Sequence, residues 1–334
     1  MPDQLAWQNA LTEGDLFEVS RPAARWAQSS RTHIAWDYGR WLGHLSHHEK
    51  LNDKAPAERV TPSQVAVYIE ELRESVRPQT VACYLAHLYA AIRVMAPDGD
   101  WSWLKAIKTR LARGLQPDGR KAARIQDSSR LFELGLSLMV EAMAGGRVDL
   151  GAAIMYRDGL MIALLAARPI RRRNLADIRI GKELQKVGNH WCLIFEAHQT
   201  KQSRYIEFPL PRLLTNYIGD YLRDYRKRLL GNERHKYLWV SARGGPLCAG
   251  GIYDRIIKCT AAEFGKPINP HLFRDCVATT LARLDPKHVH VAASLLGHTD
   301  LRMTQKHYNQ ARMTDAVRLY QRELQRVRAE KAYG

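Results

Sequence analysis

His271-Leu272-Phe273-Arg274-Asp275, then Leu295-Leu296-Gly297-His298-Thr299-Asp300-Leu301 and Thr304-Gln305-Lys306-His307-Tyr308, are the stretches whose reading decides this chain. His271 and Arg274 stand three residues apart and so share one helical face. Gly297 can end a helix, with His298 beginning the turn. Tyr308 lies in a polar segment from Met303 to Asn309, poorly suited to burying a ring. A tyrosine hydroxyl, with an ordinary pKa of about 10, is a poor nucleophile near neutrality unless a base or nearby cations assist. A guanidinium stays charged at any working pH and grips two oxygens at once. An imidazole titrates near 6.5 and can donate to a phosphate or shuttle a proton.

Two further cationic clusters precede these stretches. Pro169-Ile170-Arg171-Arg172-Arg173-Asn174-Leu175 follows an apolar helical pattern, so one of the three arginines can point inward. Lys201, in Gln199-Thr200-Lys201-Gln202-Ser203, falls in a hairpin turn, where a lysine can reach over a substrate and protonate a leaving alkoxide. Singly, these residues read as a packed tyrosine, a solvated basic patch, a surface pair and an exposed turn lysine. In this order they supply cations for a phosphate, groups to move protons and a hydroxyl to attack.

No phosphate-binding glycine loop, dinucleotide fingerprint or His-Glu-x-x-His motif accompanies them, so no cofactor and no metal is expected. His44, His47 and His48 read as a polar helix end, and His288 and His290 are spaced so that they share no helical face. The five cysteines, Cys83, Cys192, Cys248, Cys259 and Cys276, form no paired motif and read as reduced thiols.

Outward from the site, the fold class reads as mainly α with a small antiparallel β-sheet. Residues 1–23 are weakly patterned and read as a loose arm. Residues 24–115 read as a helical domain, with Trp26, Ile34, Trp36, Tyr38, Trp41, Leu42 and Leu45 at helical spacing. Within it Thr61 caps a helix opened by Pro62, whose face is Val65, Val67, Tyr68, Ile69 and Leu72. Another helix runs from Pro78 to Met95, and a fourth from Trp103 to Leu115. Residues 116–126 combine proline, glycine and cations and read as a basic linker. Residues 127–334 form a second domain. Helices at 129–144 and 149–167 lead into strands at 175–180, 191–196 and 204–209, and helices follow to the end, including one over 314–332.

The chain has 334 residues and a formal net charge of +17, which points to a polyanionic partner, nucleic acid first. No basic region and apolar run opens it. Its most apolar run, Gly159 to Ala167, is short for a bilayer and flanked by Arg157, Asp158 and Arg168. A cytoplasmic protein is expected.

From about Ala24 onward the chain resembles the tyrosine recombinase (phage integrase) family. The resemblance is specific at His271-Leu-Phe-Arg-Asp, Leu295-Leu-Gly-His-Thr-Asp-Leu and Thr304 to Tyr308, and generic in the N-terminal helices. It implies a core-binding domain, a catalytic domain, and site-specific recombination of double-stranded DNA by a tetramer on two sites. Cleavage would need no metal and no ATP. Tyr308 would form a 3′-phosphotyrosyl bond, Arg171 and Arg274 would hold the phosphate, and Lys201 would be the general acid. His271 would take or relay the tyrosine proton, and His298 would bond the phosphate.

Three departures stand out. Arg171 is chosen by aligning Asn174-Leu175 with the family's Glu-Leu, and Arg172 is the alternative. Tyr308 lies one residue beyond the commonest spacing, with His307 in the usual place, so the segment must bulge or unwind. A separate arm-binding domain is not expected, since little chain precedes Ala24. The tail over 314–332 would dock on a neighbouring protomer or pack on its own domain. The rival readings are a catalytically weakened DNA-binding relative and a relaxing topoisomerase.

Overall fold

The computed structural model describes residues 2–13, 22–115, 119–200 and 205–284. By its internal contacts the chain divides into two units, Met1–Asp118 and Gly119–Gly334.

The described regular elements of the first unit are all helices, chiefly α1 (Pro2–Leu11), α2 (Gln28–His47), the single-turn α3 (Pro56–Arg59), α4 (Pro62–Ser75), α5 (Pro78–Met95) and α6 (Ser102–Arg113). Proline opens α3, α4 and α5, where its fixed φ suits the first turn and its missing N–H costs nothing. Thr61 caps α4 by accepting from the Gln64 N–H. The core joins Trp41 and Leu45 of α2 to Val65 and Tyr68 of α4, Leu85, Leu88 and Ile92 of α5, and Leu104 of α6.

Three expectations for this unit are corrected. The loose arm contains α1, whose Asp3 is buried, accepts from Tyr38 Oη at 2.6 Å and pairs with Arg59. Besides this carboxylate only Trp7 and Ala10 pack inward, too sparse an apolar pattern for hydrophobic periodicity to reveal the helix. Trp36 and Val67 are exposed. Each lies two residues from the buried positions on either side, about 200° around the helix, and so points away from the core. His44 does not sit at a polar helix end. It is buried against Trp41 and Tyr68, with ring centroids 5.5 and 4.9 Å away.

The second unit begins with one helical turn, α7 (Gly119–Ala122), and then α8 (Ser128–Ala144) and α9 (Leu150–Ala167). From Gly119 onward the expected linker is therefore docked. Lys121 reaches Asp275, the Gln126 N–H donates to Cys276 Sγ at 3.4 Å, and Ile125 packs on the core. α8 and α9 cross with backbones nearly touching. A Cβ on Gly135 would lie 2.6 Å from Ala163 N, and one on Gly159 would lie 2.6 Å from Gly135 O.

α9 is the one described helix long and apolar enough to cross a bilayer, but every residue from Tyr156 to Ala166 is buried in protein. Its Arg157 and Asp158 are paired with each other, with Val240 O at 2.7 Å and with Arg255 at 2.6 Å. These bonds make two buried charges tolerable.

Next come α10 (Arg172–Ala176) and three antiparallel strands in sequence order, β1 (Leu184–Val187), β2 (His190–Phe195) and β3 (Ile206–Pro209). Leu184 pairs with Leu193, and Leu193 with Phe208. Gly188, with φ of 58°, opens the two-residue turn between β1 and β2. The strand expected at 175–180 is absent. Its apolar run is satisfied by the segment 236–239 instead, through Ile180 N–H to Lys236 O, Leu238 N–H to Ile178 O and Trp239 Nε1–H to Leu175 O. The first sheet strand is β1, a short run with only Leu184 buried. Helices α11 (Leu214–Asp220), α12 (Arg226–Leu230), α13 (Ala249–Phe264) and α14 (Leu272–Leu284) complete the described part. The helices expected from Lys287 onward lie outside it.

Candidate active site

The site forms where α9 stops. Pro169 prevents the helix continuing, and the residue before it, Arg168, is extended. The Pro169 carbonyl accepts from Arg274 Nη1 at 2.6 Å, which pins the start of α14 against the end of α9. Asn269 Oδ1 accepts from the Leu272 N–H at 2.9 Å and so caps α14, placing His271 just ahead of the helix and Arg274 in its first turn. His271 is exposed, whereas Arg274 is only 8% exposed.

The three neighbouring arginines separate in space. Arg171 is the residue preceding α10, and its charge acts on both His271 and Arg274. Arg172 lies over the Tyr253 ring at 5.4 Å, and Arg173 lies 3.6 Å from Asp177. Of the three, Arg171 is the one whose charge acts on both His271 and Arg274.

Burial first, and then the Arg171 charge, push the Arg274 guanidinium down to about 10, against a smaller opposing pull from Asp275. Partial desolvation lowers the His271 pKa. Asp275 opposes that shift, and Arg274, Lys121 and Arg171 add to it. His271 is therefore neutral near pH 7 and able to accept a proton. Cations that push on one another in the free protein are arranged to be relieved by an anion.

Sequence reasoning missed Lys121 and Asp275 as neighbours of this site. Lys121 Nζ lies 3.0 Å from the Asp275 carboxylate, which is itself buried. Lys121 read as a linker cation because nothing in its local sequence points to a residue more than 150 positions away. Asp275 was quoted in the motif without a role, although its place beside Arg274 was a usable signal.

Lys201 lies outside the described residues, in the connection between β2 and β3. The segment leading to it is held firmly. Gln199 Nε2 donates to Glu183 at 2.7 Å, and Asn174 Nδ2 donates to Gln199 O at 3.2 Å. Burial raises the Glu183 pKa, but hydrogen bonds from Arg179 and Gln199 outweigh it and hold the carboxyl below its ordinary value. Asn174 thus ties α10 to the segment leading toward Lys201. His298 and Tyr308 also lie outside the described residues.

Comparison with known proteins identifies the family. The phage integrase family matches residues 138–315, more than half of the chain. Tyrosine recombinase XerD of Halalkalibacterium halodurans is 25% identical over 162 residues, 48% of this chain and 52% of that protein. XerD of Pseudomonas aeruginosa is 30% identical over 162 residues, 48% of this chain and 52% of that protein. The chain spans about half the length of the curated relatives it matches. XerH site-specific recombinase bound to difH substrate shares the fold with a TM-score of 0.59 and 12% identity, over 95% of this chain and 94% of that one. A lambda integrase dimer bound to a core site does so with a TM-score of 0.54 and 15% identity, over 85% of this chain and 89% of that one. The chain belongs to the phage integrase family.

Proposed function

We propose that the protein is a site-specific DNA recombinase that breaks and rejoins strands through a 3′-phosphotyrosyl intermediate. The observation that carries this reading is the buried Arg274, held against Pro169 with the Arg171 charge and a neutral His271 beside it. Two guanidinium groups from separate elements suit the non-bridging oxygens of one phosphodiester. Structural neighbours solved on DNA, XerH and lambda integrase, support double-stranded DNA as the partner.

In the reaction, the Tyr308 oxygen attacks phosphorus and its proton passes to His271. The bond from phosphorus to the 5′ oxygen breaks, and Lys201 gives that oxygen a proton. Arg171 and Arg274 hold the charge that gathers on the phosphate, and His298 donates to it. Rejoining reverses these steps with a 5′-hydroxyl from the partner strand, so the phosphodiester energy is kept and no nucleotide is consumed. The protein acts in the cytoplasm as a tetramer on two sites, with residues 24–115 as the core-binding domain and 127–334 as the catalytic domain.

A suicide-substrate assay with nicked DNA carrying the native site tests this. Wild type should form a covalent adduct, and Tyr308→Phe should abolish it while leaving binding nearly intact. An adduct that survives Tyr308→Phe and disappears in His307 or another tyrosine variant would overturn the nucleophile. No adduct on a verified site would favour a DNA-binding protein without cleavage, and relaxation of plasmid regardless of sequence would favour a topoisomerase.

A further inference from the structure

α2 and α4 bring three metal-ligating side chains together in the first unit. His44 lies on α2 and His48 caps its C-terminus four residues on, with the two ring centroids 4.7 Å apart. Glu71, near the end of α4, turns one carboxylate oxygen to each. Its Oε2 lies 2.7 Å from His44 Nδ1, and its Oε1 meets His48 Nε2. The three donor groups lie within 4.8 Å of one another. The His44 ring is fixed by its stack on Trp41 and its contact with Tyr68. The side chains of His48 and Glu71 are 36% and 41% exposed, which leaves an entry for an ion and space for water to complete its shell.

We propose that His44, His48 and Glu71 bind a divalent transition-metal ion, with zinc the best match to the donors. Two imidazole nitrogens and a carboxylate are zinc ligands, whereas magnesium and calcium take shells of oxygen. Three protein ligands leave the fourth tetrahedral position to water. Ligand atoms at about 2.1 Å from a tetrahedral ion stand about 3.4 Å apart. The Glu71 carboxylate therefore has to withdraw from His44 by less than about 1 Å, a small rotation for a half-exposed side chain. The ion would replace the hydrogen bonds through which the carboxylate now bridges the two rings, and would clip α2 to α4.

A second group, Asp37, Cys83 and His87, is the competitor. There Asp37 is engaged by His87 and Arg40, and burial together with the Asp37 charge raises the Cys83 thiol pKa, which disfavours the thiolate a metal needs.

The test uses the full chain, stripped of metal and titrated with zinc chloride against a chromophoric chelator. Wild type should bind one tight equivalent. His48→Ala and Glu71→Gln should each weaken it by at least about tenfold, and Cys83→Ser and His87→Ala should leave it unchanged. Both weakening variants alter half-exposed side chains, and circular dichroism melting checks that they remain folded. Zinc should raise the unfolding midpoint of wild type and not that of His48→Ala. Cobalt(II) in place of zinc should give visible bands without a thiolate charge-transfer band in the near ultraviolet. Less than one equivalent in wild type, unchanged affinity in His48→Ala and Glu71→Gln, or a thiolate band would each overturn the proposal.

Discussion

Replacing Arg274 by glutamine should separate stability from activity. The arginine is 8% exposed, and its pKa is pushed down to about 10 by burial and by Arg171. Against an ordinary arginine value above about 12, holding that charge in place costs on the order of 3 kcal/mol. The charge-assisted bond to Pro169 O returns roughly 1.5–3 kcal/mol. The two nearly cancel, and a glutamine amide removes the charge while keeping a donor for Pro169 O. Arg274→Gln should therefore change the stability of the second unit by no more than about 2 kcal/mol. In the mechanism proposed above the same guanidinium faces a phosphate in the transition state, and losing one such donor costs about 10²–10³ in rate. Urea denaturation followed by near-ultraviolet circular dichroism reads the first quantity, and single-turnover adduct formation on a suicide substrate reads the second. A stability loss above about 4 kcal/mol, or adduct formation at nearly the wild-type rate, would refute this account. The first result would make Arg274 a structural residue, and the second would remove it from the phosphate.

Further consequences follow from other contacts. The folded pKa of His271 lies below its unfolded value, so its cost is nil above about pH 6.5 and grows as pH falls below that value toward the folded pKa. Urea midpoints of the second unit should decline on acidification through this window, and His271→Asn should flatten the decline. Lys121→Met removes a charge that lowers the His271 pKa, so the acidic limb of the cleavage-rate profile should move to higher pH; an unmoved limb would place Lys121 outside the site's field. Asp3→Ala leaves Arg59 buried without its ion-pair partner, with only the bond to Asn52 O at 2.8 Å, and should destabilise the first unit by about 3 kcal/mol, measured by thermal melting; a loss below about 1 kcal/mol would mean α1 is not docked through this pair. Gly135→Ala forces a methyl against the backbone of α9 and should cost about 3 kcal/mol or more of second-unit stability by denaturant titration, with little change if the helices separate freely.

Long helices were legible wherever apolar spacing and a proline start agreed, as in α5 from Pro78 to Met95. The β2–β3 hairpin was legible from its flanking strand runs, but β1 was not, because a four-residue strand with one buried side chain carries almost no pattern. The run at 175–180 misled because an apolar β-type segment can be satisfied by a distant loop as readily as by a sheet. Within the candidate site, the pairing of His271 with Arg274 was legible, but not the shared helical face: α14 starts at Leu272, so His271 precedes the helix and is exposed while Arg274 is buried in its first turn.

The sequence by itself determined the class of chemistry and the identity of the charged groups, because residue type sets charge, proton affinity and hydrogen-bonding capacity wherever the chain goes. Only tertiary structure decided which of three adjacent arginines acts on Arg274 by its charge, that Lys121 belongs beside Asp275, and that Glu71 meets His44 and His48. Each of those brings together residues far apart in the chain, set by how helices stack and where α9 is stopped by Pro169. Local pattern records the face a side chain takes on its own helix, but packing selects what stands opposite it.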